Sequence, residues 1–145
     1  MSRVIIQFPE KSIFTTDITI QNIYINEANH VGNNNFIDLS NEVLCQFFHS
    51  RQTYRYTIGN QSLINTEFSV ILKSEAKPYD ILTMDLGVDN FHRCGCDFII
   101  KMQQKETKKL VALSQFSFLA FDYGAGKAVN TDKNFQSFFD TPPNT

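Results

Sequence analysis

The chain has no tryptophan and no run of about 18 consecutive apolar residues. A segment of that length is needed to cross a bilayer as a helix, so the sequence predicts no membrane span. The apolar start Val4–Ile6 is interrupted at once by Gln7 and Pro9. It is too short for the apolar region of a signal peptide. We therefore expect a cytoplasmic protein with no membrane partner.

Cysteine and basic charge are also scarce. Cys45, Cys94 and Cys96 are an odd number of thiols, which does not suit a disulfide framework. No Cys and His cluster completes a tetrahedral zinc site, so the sequence predicts no metal. The 13 Lys and Arg against 15 Asp and Glu are scattered and give a net charge of −2. That balance gives no basic surface for nucleic acid.

The chain is instead rich in phenylalanine, with 14 residues among 145. Phe carries a large apolar area without a polar group, so it suits dry cores and grooves for apolar ligands. The length fits one domain over residues 1–145, with a core at about 13–139. The polar, Pro-rich residues 140–145 are expected to fray.

One segment has a clear helical period. From Asn35 to about His49, apolar side chains recur every three or four residues, and a polar stripe lies opposite them. Asn33 or Asn34 is a natural N-cap. The apolar positions are Phe36, Leu39, Val43 and Phe47, and the polar ones are Asp38, Glu42, Gln46 and His49.

The rest of the chain alternates with the period of two that is typical of strands. A first strand is predicted in Ile13–Ile25, and further strands lie between residue 68 and Phe121. Several are longer than the usual five or six residues, so the sheet must curve. The pattern predicts an α+β fold in which a curved antiparallel sheet of about five strands wraps around one long central helix.

The loop before the helix carries a recognisable motif. Asn26-Glu27-Ala28-Asn29-His30-Val31-Gly32-Asn33, followed by Glu42, resembles the loop and helix of the hotdog thioesterases. Pro78–Leu82 and Phe121–Tyr123 resemble later turns of that family. The resemblance covers about residues 13–139. It implies a hotdog fold and a homo-oligomer, either a dimer or a dimer of dimers. It also implies hydrolysis of acyl thioesters between two subunits, with coenzyme A entering as part of the substrate and no separate cofactor.

The site residues follow from the motif and from the chemistry of thioester hydrolysis. The resemblance implies that Glu42, His30 and Asn26 belong to the catalytic group. Backbone N–H groups around Gly32, Asn33 and Asn34 are suited to polarise the thioester carbonyl, because the first turn of a helix leaves them unpaired. The alternatives are that Glu42 is a solvated surface charge and that His30 is an ordinary loop residue.

Three departures from the family pattern bear on activity. Asn26 stands where many related enzymes carry an Asp, and an amide cannot act as base or nucleophile. Leu44 stands where Arg often follows the helix Glu, and Asn29 replaces a usual Gly at a site that tolerates left-handed backbone. The sequence thus favours an acyl-CoA thioesterase, with a non-catalytic acyl-binding or dimerisation module as the alternative. A hydratase or dehydratase fits less well, because the Pro-rich loop of those dehydratases is missing.

Overall fold

The computed structural model describes residues 4–29, 31–53 and 56–140. Five strands of six or more residues, two strands of two residues and two α-helices follow one another along the chain. They are β1 (Phe14–Thr19), α1 (Asn33–Ser50), β2 (Thr57–Ile58), β3 (Gln61–Leu72), β4 (Ile81–His92), β5 (Gly95–Gln104), β6 (Leu110–Asp122), β7 (Lys127–Ala128) and α2 (Ser137–Asp140).

All strands join one antiparallel sheet in the order β1-β4-β5-β6-β3-β2, with β7 paired to the end of β6. The sheet curves around α1, which confirms the predicted hotdog fold. The two-residue strands β2 and β7 are additions to the five that the sequence predicts. Short pairings of this kind leave no periodic signal.

Helix α1 fills the hollow of the sheet. The four predicted apolar positions Phe36, Leu39, Val43 and Phe47 are all buried, and so are Leu44 and Phe48. They pack against inward-facing side chains of the sheet, among them Leu82, Met84, Leu86, Phe98 and Phe118. Ser40 makes buried polar contacts on this side of the helix: its Oγ lies 2.9 Å from Ser114 Oγ and 2.8 Å from the carbonyl oxygen of Phe36.

The first predicted strand is only half correct. Strand β1 ends at Thr19, and a turn of 3₁₀-helix covers Asn22–Tyr24. The backbone N–H of Ile20 donates to the carbonyl of Asp80, and that of Tyr24 donates to the carbonyl of Gln21. The chain therefore leaves the sheet edge before Ile25, although its β-branched composition continues.

A short C-terminal segment covers the end of α1. Phe138 and Phe139 pack on Phe47, whose ring lies 5.9 Å from Phe138 and 6.2 Å from Phe139, and Phe135 packs on Phe139 at 5.5 Å. Arg51 places its guanidinium 5.0 Å above the same ring. Burial lowers the pKa of the Arg51 side chain. The aromatic segment closes the open end of the sheet opposite the start of the helix.

Strands β5 and β6 approach most closely at Gly95. A Cβ at this buried position would lie 1.9 Å from the carbonyl oxygen of Phe118. We expect Gly95→Ala to force the strands apart and to lower the free energy of unfolding by about 1–3 kcal/mol or more, as overpacking does elsewhere. Denaturant unfolding at fixed protein concentration measures this loss.

Gly124→Ala is the matched control for that substitution. Gly124 lies in an exposed turn, where the nearest atom to an added Cβ would be Asp122 Oδ1 at 3.3 Å. We expect this variant to unfold within about 0.5 kcal/mol of the wild type. Equal stability of the Gly95 and Gly124 variants would contradict the close approach of β5 and β6.

Candidate active site

The loop before α1 is held in place by its own backbone and by the sheet. Ile25 and Val31 form an isolated bridge, and the N–H of Val31 donates to the carbonyl of Ala76 at 3.2 Å. Asn26 Oδ1 accepts from the N–H of Ala28 at 2.9 Å. Asn29 has the left-handed backbone expected from the sequence, with φ of 66°. Asn26 thus braces the turn through its side chain.

His30, which the sequence assigns to the same group, lies outside the described residues. The structure consequently adds nothing to its predicted role. Asn26 and Gly32 do meet, since a Cβ at Gly32 would lie 3.6 Å from the Asn26 Cβ. The beginning and the end of the loop motif therefore lie close together.

The helix begins at Asn33, two residues earlier than the sequence predicts. Gly32 is the N-cap, and no side chain caps the helix, so the predicted N-cap at Asn33 or Asn34 is wrong. The extended backbone of Gly32 (φ −74°, ψ 157°) leads directly into Asn33. The asparagine run fills the first turn of α1.

Two backbone amides remain free at this helix start. The N–H of Gly32 donates to the carbonyl of Tyr24 at 3.3 Å, and the N–H of Asn35 donates to the carbonyl of Gly32 at 3.0 Å. Within the described part of the chain, the N–H groups of Asn33 and Asn34 have no acceptor. The predicted carbonyl-polarising group thus reduces to the amides of Asn33 and Asn34, where the helix dipole adds partial positive charge.

Asn33 also lines a small, mostly apolar depression, the helix-start cleft, of about 260 Å³. Its walls come from the start of α1 and from the segment that follows β3. The lining residues are Val31, Asn33, Phe36, Leu72, Lys73, Ser74, Glu75 and Ala76. The cleft can hold an apolar group against Phe36 and Leu72, with a carbonyl directed at the helix start.

Glu42 is remote from this cleft within one chain. It is exposed on the polar face of α1, and its Oε1 accepts from Gln46 Nε2 at 2.9 Å. Ten residues of continuous helix separate it from Gly32, which corresponds to about 13–15 Å along the axis. One chain therefore does not bring Glu42 to the amides of Asn33 and Asn34.

Comparison with known proteins identifies the family. The family model described as the thioesterase-like superfamily matches residues 21–139. The chain belongs to this superfamily. A comparison with curated protein sequences finds no match.

Solved structures share the fold of this superfamily member at low sequence identity. Slr0204, a 1,4-dihydroxy-2-naphthoyl-CoA thioesterase from Synechocystis, is 18% identical with a TM-score of 0.79, over 89% of this chain and 98% of that one. SAV2348 from Staphylococcus aureus, solved in complex with CoA, is 15% identical with a TM-score of 0.74, over 100% and 92%. YbaW from Escherichia coli, a probable thioesterase, is 13% identical with a TM-score of 0.71, over 87% and 96%.

Other polar groups of this thioesterase-like protein have structural roles. Asp80 Oδ2 accepts from the N–H of Lys77, and Asp122 Oδ1 accepts from the N–H groups of Gly124 and Ala125. Cys96 is buried, and burial raises the pKa of its thiol well above the usual range. A thiol of that kind is unreactive.

The structure describes neither a metal site nor a membrane-spanning helix. Among the described residues, no three His, Cys, Asp or Glu side chains lie together in a way that could hold a metal ion. In the same residues no helix is both long enough and apolar enough to cross a bilayer.

Sequence analysis missed Glu75 and its neighbours in the helix-start cleft. Glu75 is the carboxylate that lines the cleft, and Lys73 and Ser74 lie beside it. These residues are more than 30 positions beyond the loop motif. The hydrogen bond between Val31 and Ala76 brings them to the helix start. No periodic or motif signal marks them.

Proposed function

We propose that this protein hydrolyses acyl-CoA thioesters at sites shared between two copies of the chain. The observation that carries the proposal is the pair of free amides at Asn33 and Asn34 in the first turn of α1, together with the apolar cleft that Asn33 lines. Membership of the thioesterase-like superfamily supports the reaction class. The CoA thioester named for Slr0204 and the CoA bound to SAV2348 support the carrier.

The amides would stabilise the negative charge that develops on the thioester oxygen. Preorganised N–H donors lower the barrier because they need no rearrangement as charge forms. Gly32 leaves room for the side-chain oxygens of the first turn, since a Cβ there would lie 3.0 Å from Asn35 Oδ1 and 3.2 Å from Asn34 Oδ1. The substrate carbonyl then accepts from Asn33 and Asn34 while its acyl group contacts Phe36.

Glu42 is the proposed general base. Its carboxylate would take a proton from water as the water oxygen attacks the carbonyl carbon. The carbon–sulfur bond then breaks, and the thiolate of coenzyme A takes up the proton. Glu42 lies far from the amides of Asn33 and Asn34 within a single chain. The reaction therefore needs Glu42 from a second copy whose α1 runs antiparallel. A two-fold axis would create two such sites per pair.

The free edge of β3 supports such a pairing. Strand β2 covers only Gln61 and Ser62, and the described chain leaves the outer side of Ile64–Leu72 without a strand neighbour. Long unpaired edges tend to recruit another strand. Two β3 edges joined antiparallel would extend the sheet and keep both helices on its concave side, pointing in opposite directions.

A non-catalytic acyl-binding module is the second candidate. Asn26 favours it, because the side chain is an uncharged amide that is used to brace its own turn. Such a module would bind acyl-CoA without releasing thiol. Colorimetric thiol release from short, long and aromatic acyl-CoAs separates the two functions, with binding but no turnover as the outcome that selects the module.

The helix-start amides can be tested by removing one of them. Asn33→Pro deletes the N–H at the first helical position, where proline is well tolerated, and the extended Gly32 before it is compatible with proline. We expect kcat to fall about 10²-fold, as it does when one oxyanion donor is lost. Steady-state thiol release measures the change.

Asn33→Ala is the matched control, because it removes the side chain and keeps the amide. We expect its kcat to stay within about threefold of the wild type, which is the scale of effects away from transition-state contacts. Equal losses in both variants would mean that the Asn33 side chain, and not the amide, does the work.

A further inference from the structure

A second, larger cavity adjoins the helix-start cleft. This lysine cavity has a volume of about 560 Å³ and shares Lys73, Ser74 and Glu75 with the cleft. Lys77 and Lys109 line it as well. A ligand whose carbonyl lies at the helix start could therefore extend between these lysines.

Hydrogen bonds of the backbone fix the positions of Lys73 and Lys77. The N–H of Lys73 donates to the carbonyl of Val111 at 2.8 Å, and Ser74 Oγ donates to the carbonyl of Leu110 at 2.7 Å. These bonds hold Lys73 beside the start of β6, next to Lys109. The N–H of Lys77 donates to Asp80 Oδ2 at 2.9 Å, which sets the turn that presents its side chain. Three lysine residues held by these hydrogen bonds and by the start of β6 thus line one cavity.

Positive charge is concentrated at this end of the sheet. Lys105 and Lys108 line an adjoining cavity, so the two cavities contain five of the nine lysines and three carboxylates. The rest of the chain carries eight basic and twelve acidic residues. Of the described residues, the only ion pair joins Lys105 to Asp17. Lys73, Lys77 and Lys109 therefore keep their charge available for a ligand.

We infer that Lys73, Lys77 and Lys109 bind the phosphate groups of coenzyme A, while its pantetheine arm passes Ser74 on the way to the helix start. This inference rests on the proposed function and names the phosphate subsite of the same site. Phosphates attract ammonium groups strongly, and a lined cavity focuses that attraction. His92 and Arg93, two other groups that could carry positive charge, lie in the exposed β4–β5 hairpin at the opposite end of the sheet.

The test compares a triple variant, Lys73→Gln, Lys77→Gln and Lys109→Gln, on two substrates with the same acyl group. One is the acyl-CoA and the other is acyl-pantetheine, which has no phosphate. We expect kcat/KM for acyl-CoA to fall roughly 10- to 100-fold, mainly through KM, and the value for acyl-pantetheine to stay unchanged. The control triple Lys11→Gln, Lys127→Gln and Lys133→Gln removes the same charge from exposed positions elsewhere and should change neither value.

Equal loss on both substrates, or no loss on either, would overturn the inference. Calorimetry with free CoA tests the phosphate subsite separately from the proposed reaction, because it measures binding without turnover. If the wild type binds CoA and hydrolyses nothing, the proposed reaction fails, and weaker CoA binding by the lysine triple alone still supports the subsite. If the wild type does not bind CoA but hydrolyses an acidic carrier-protein thioester, the CoA subsite would be wrong. The lysines would then be assigned to contacts with that protein partner.

Discussion

Glu42→Gln should lose on the order of 10³-fold in kcat for acyl-CoA hydrolysis, the usual scale for removing a general base. The amide cannot take the proton from water, whereas its size and shape match the carboxylate. Its oxygen can still accept from Gln46 Nε2, so the surface of α1 should stay intact. Thiol release with saturating acyl-CoA measures the change, and sedimentation checks that self-association is retained.

Asp38→Asn provides the control for this result. Asp38 is also an exposed carboxylate on the polar face of α1, one turn before Glu42, and accepts from Asn35 Nδ2 at 3.2 Å. We expect its kcat to remain near that of the wild type. Full turnover by Glu42→Gln would remove Glu42 from the mechanism. Glu75 would then become the leading carboxylate, since it lines the helix-start cleft of its own chain.

Phe47→Ala should be the most destabilising single truncation in the aromatic core. Its side chain is fully buried, and its ring lies within 6.4 Å of five other Phe rings, those of Phe14, Phe48, Phe98, Phe138 and Phe139. Replacing such a residue by Ala costs about 3–5 kcal/mol, from lost burial and the cavity that remains. We expect Tm to fall by roughly 10 °C or more, which differential scanning calorimetry measures at fixed protein concentration.

Phe91→Ala tests whether this loss depends on burial. Phe91 contacts the same cluster, 5.7 Å from Phe139 and 6.2 Å from Phe135, but is 36% exposed. We expect it to cost about 1 kcal/mol or less. Similar losses for the two variants would mean that the C-terminal segment does not pack on Phe47 as described.

The helix and the central strands could be predicted because burial leaves a direct periodic record. Phe36, Leu39, Val43 and Phe47 recur at helical spacing, and the structure buries all four. The end of β1 leaves no such record. Ile20 is buried and Ile23 is exposed, yet both have the same β-branched side chain. The 3₁₀ turn at Asn22–Tyr24 separates them, and it is closed by the bond from the N–H of Tyr24 to the carbonyl of Gln21.

The candidate site was also only partly predictable from the sequence. The loop motif predicted a site at the start of α1, and the residue type at Asn29 predicted its left-handed backbone. The sequence did not predict that the N–H of Gly32 donates to the carbonyl of Tyr24. It also did not predict that residues 72–76 lie beside the start of the helix. Both depend on tertiary hydrogen bonds between segments with no shared pattern. A sequence motif can identify such a loop, but its neighbours come from the fold.

The central claim is that one chain supplies the amides and a second supplies Glu42. Its most direct test mixes the strongly impaired Glu42→Gln and Asn33→Pro proteins under conditions that exchange subunits. Each mixed dimer would combine an intact Asn33 amide from one chain with an intact Glu42 from the other. Random exchange at equal amounts should restore about one quarter of wild-type turnover, because half of the dimers are mixed and one of their two sites is complete. A mixture that exchanges subunits and stays inactive would contradict the shared site.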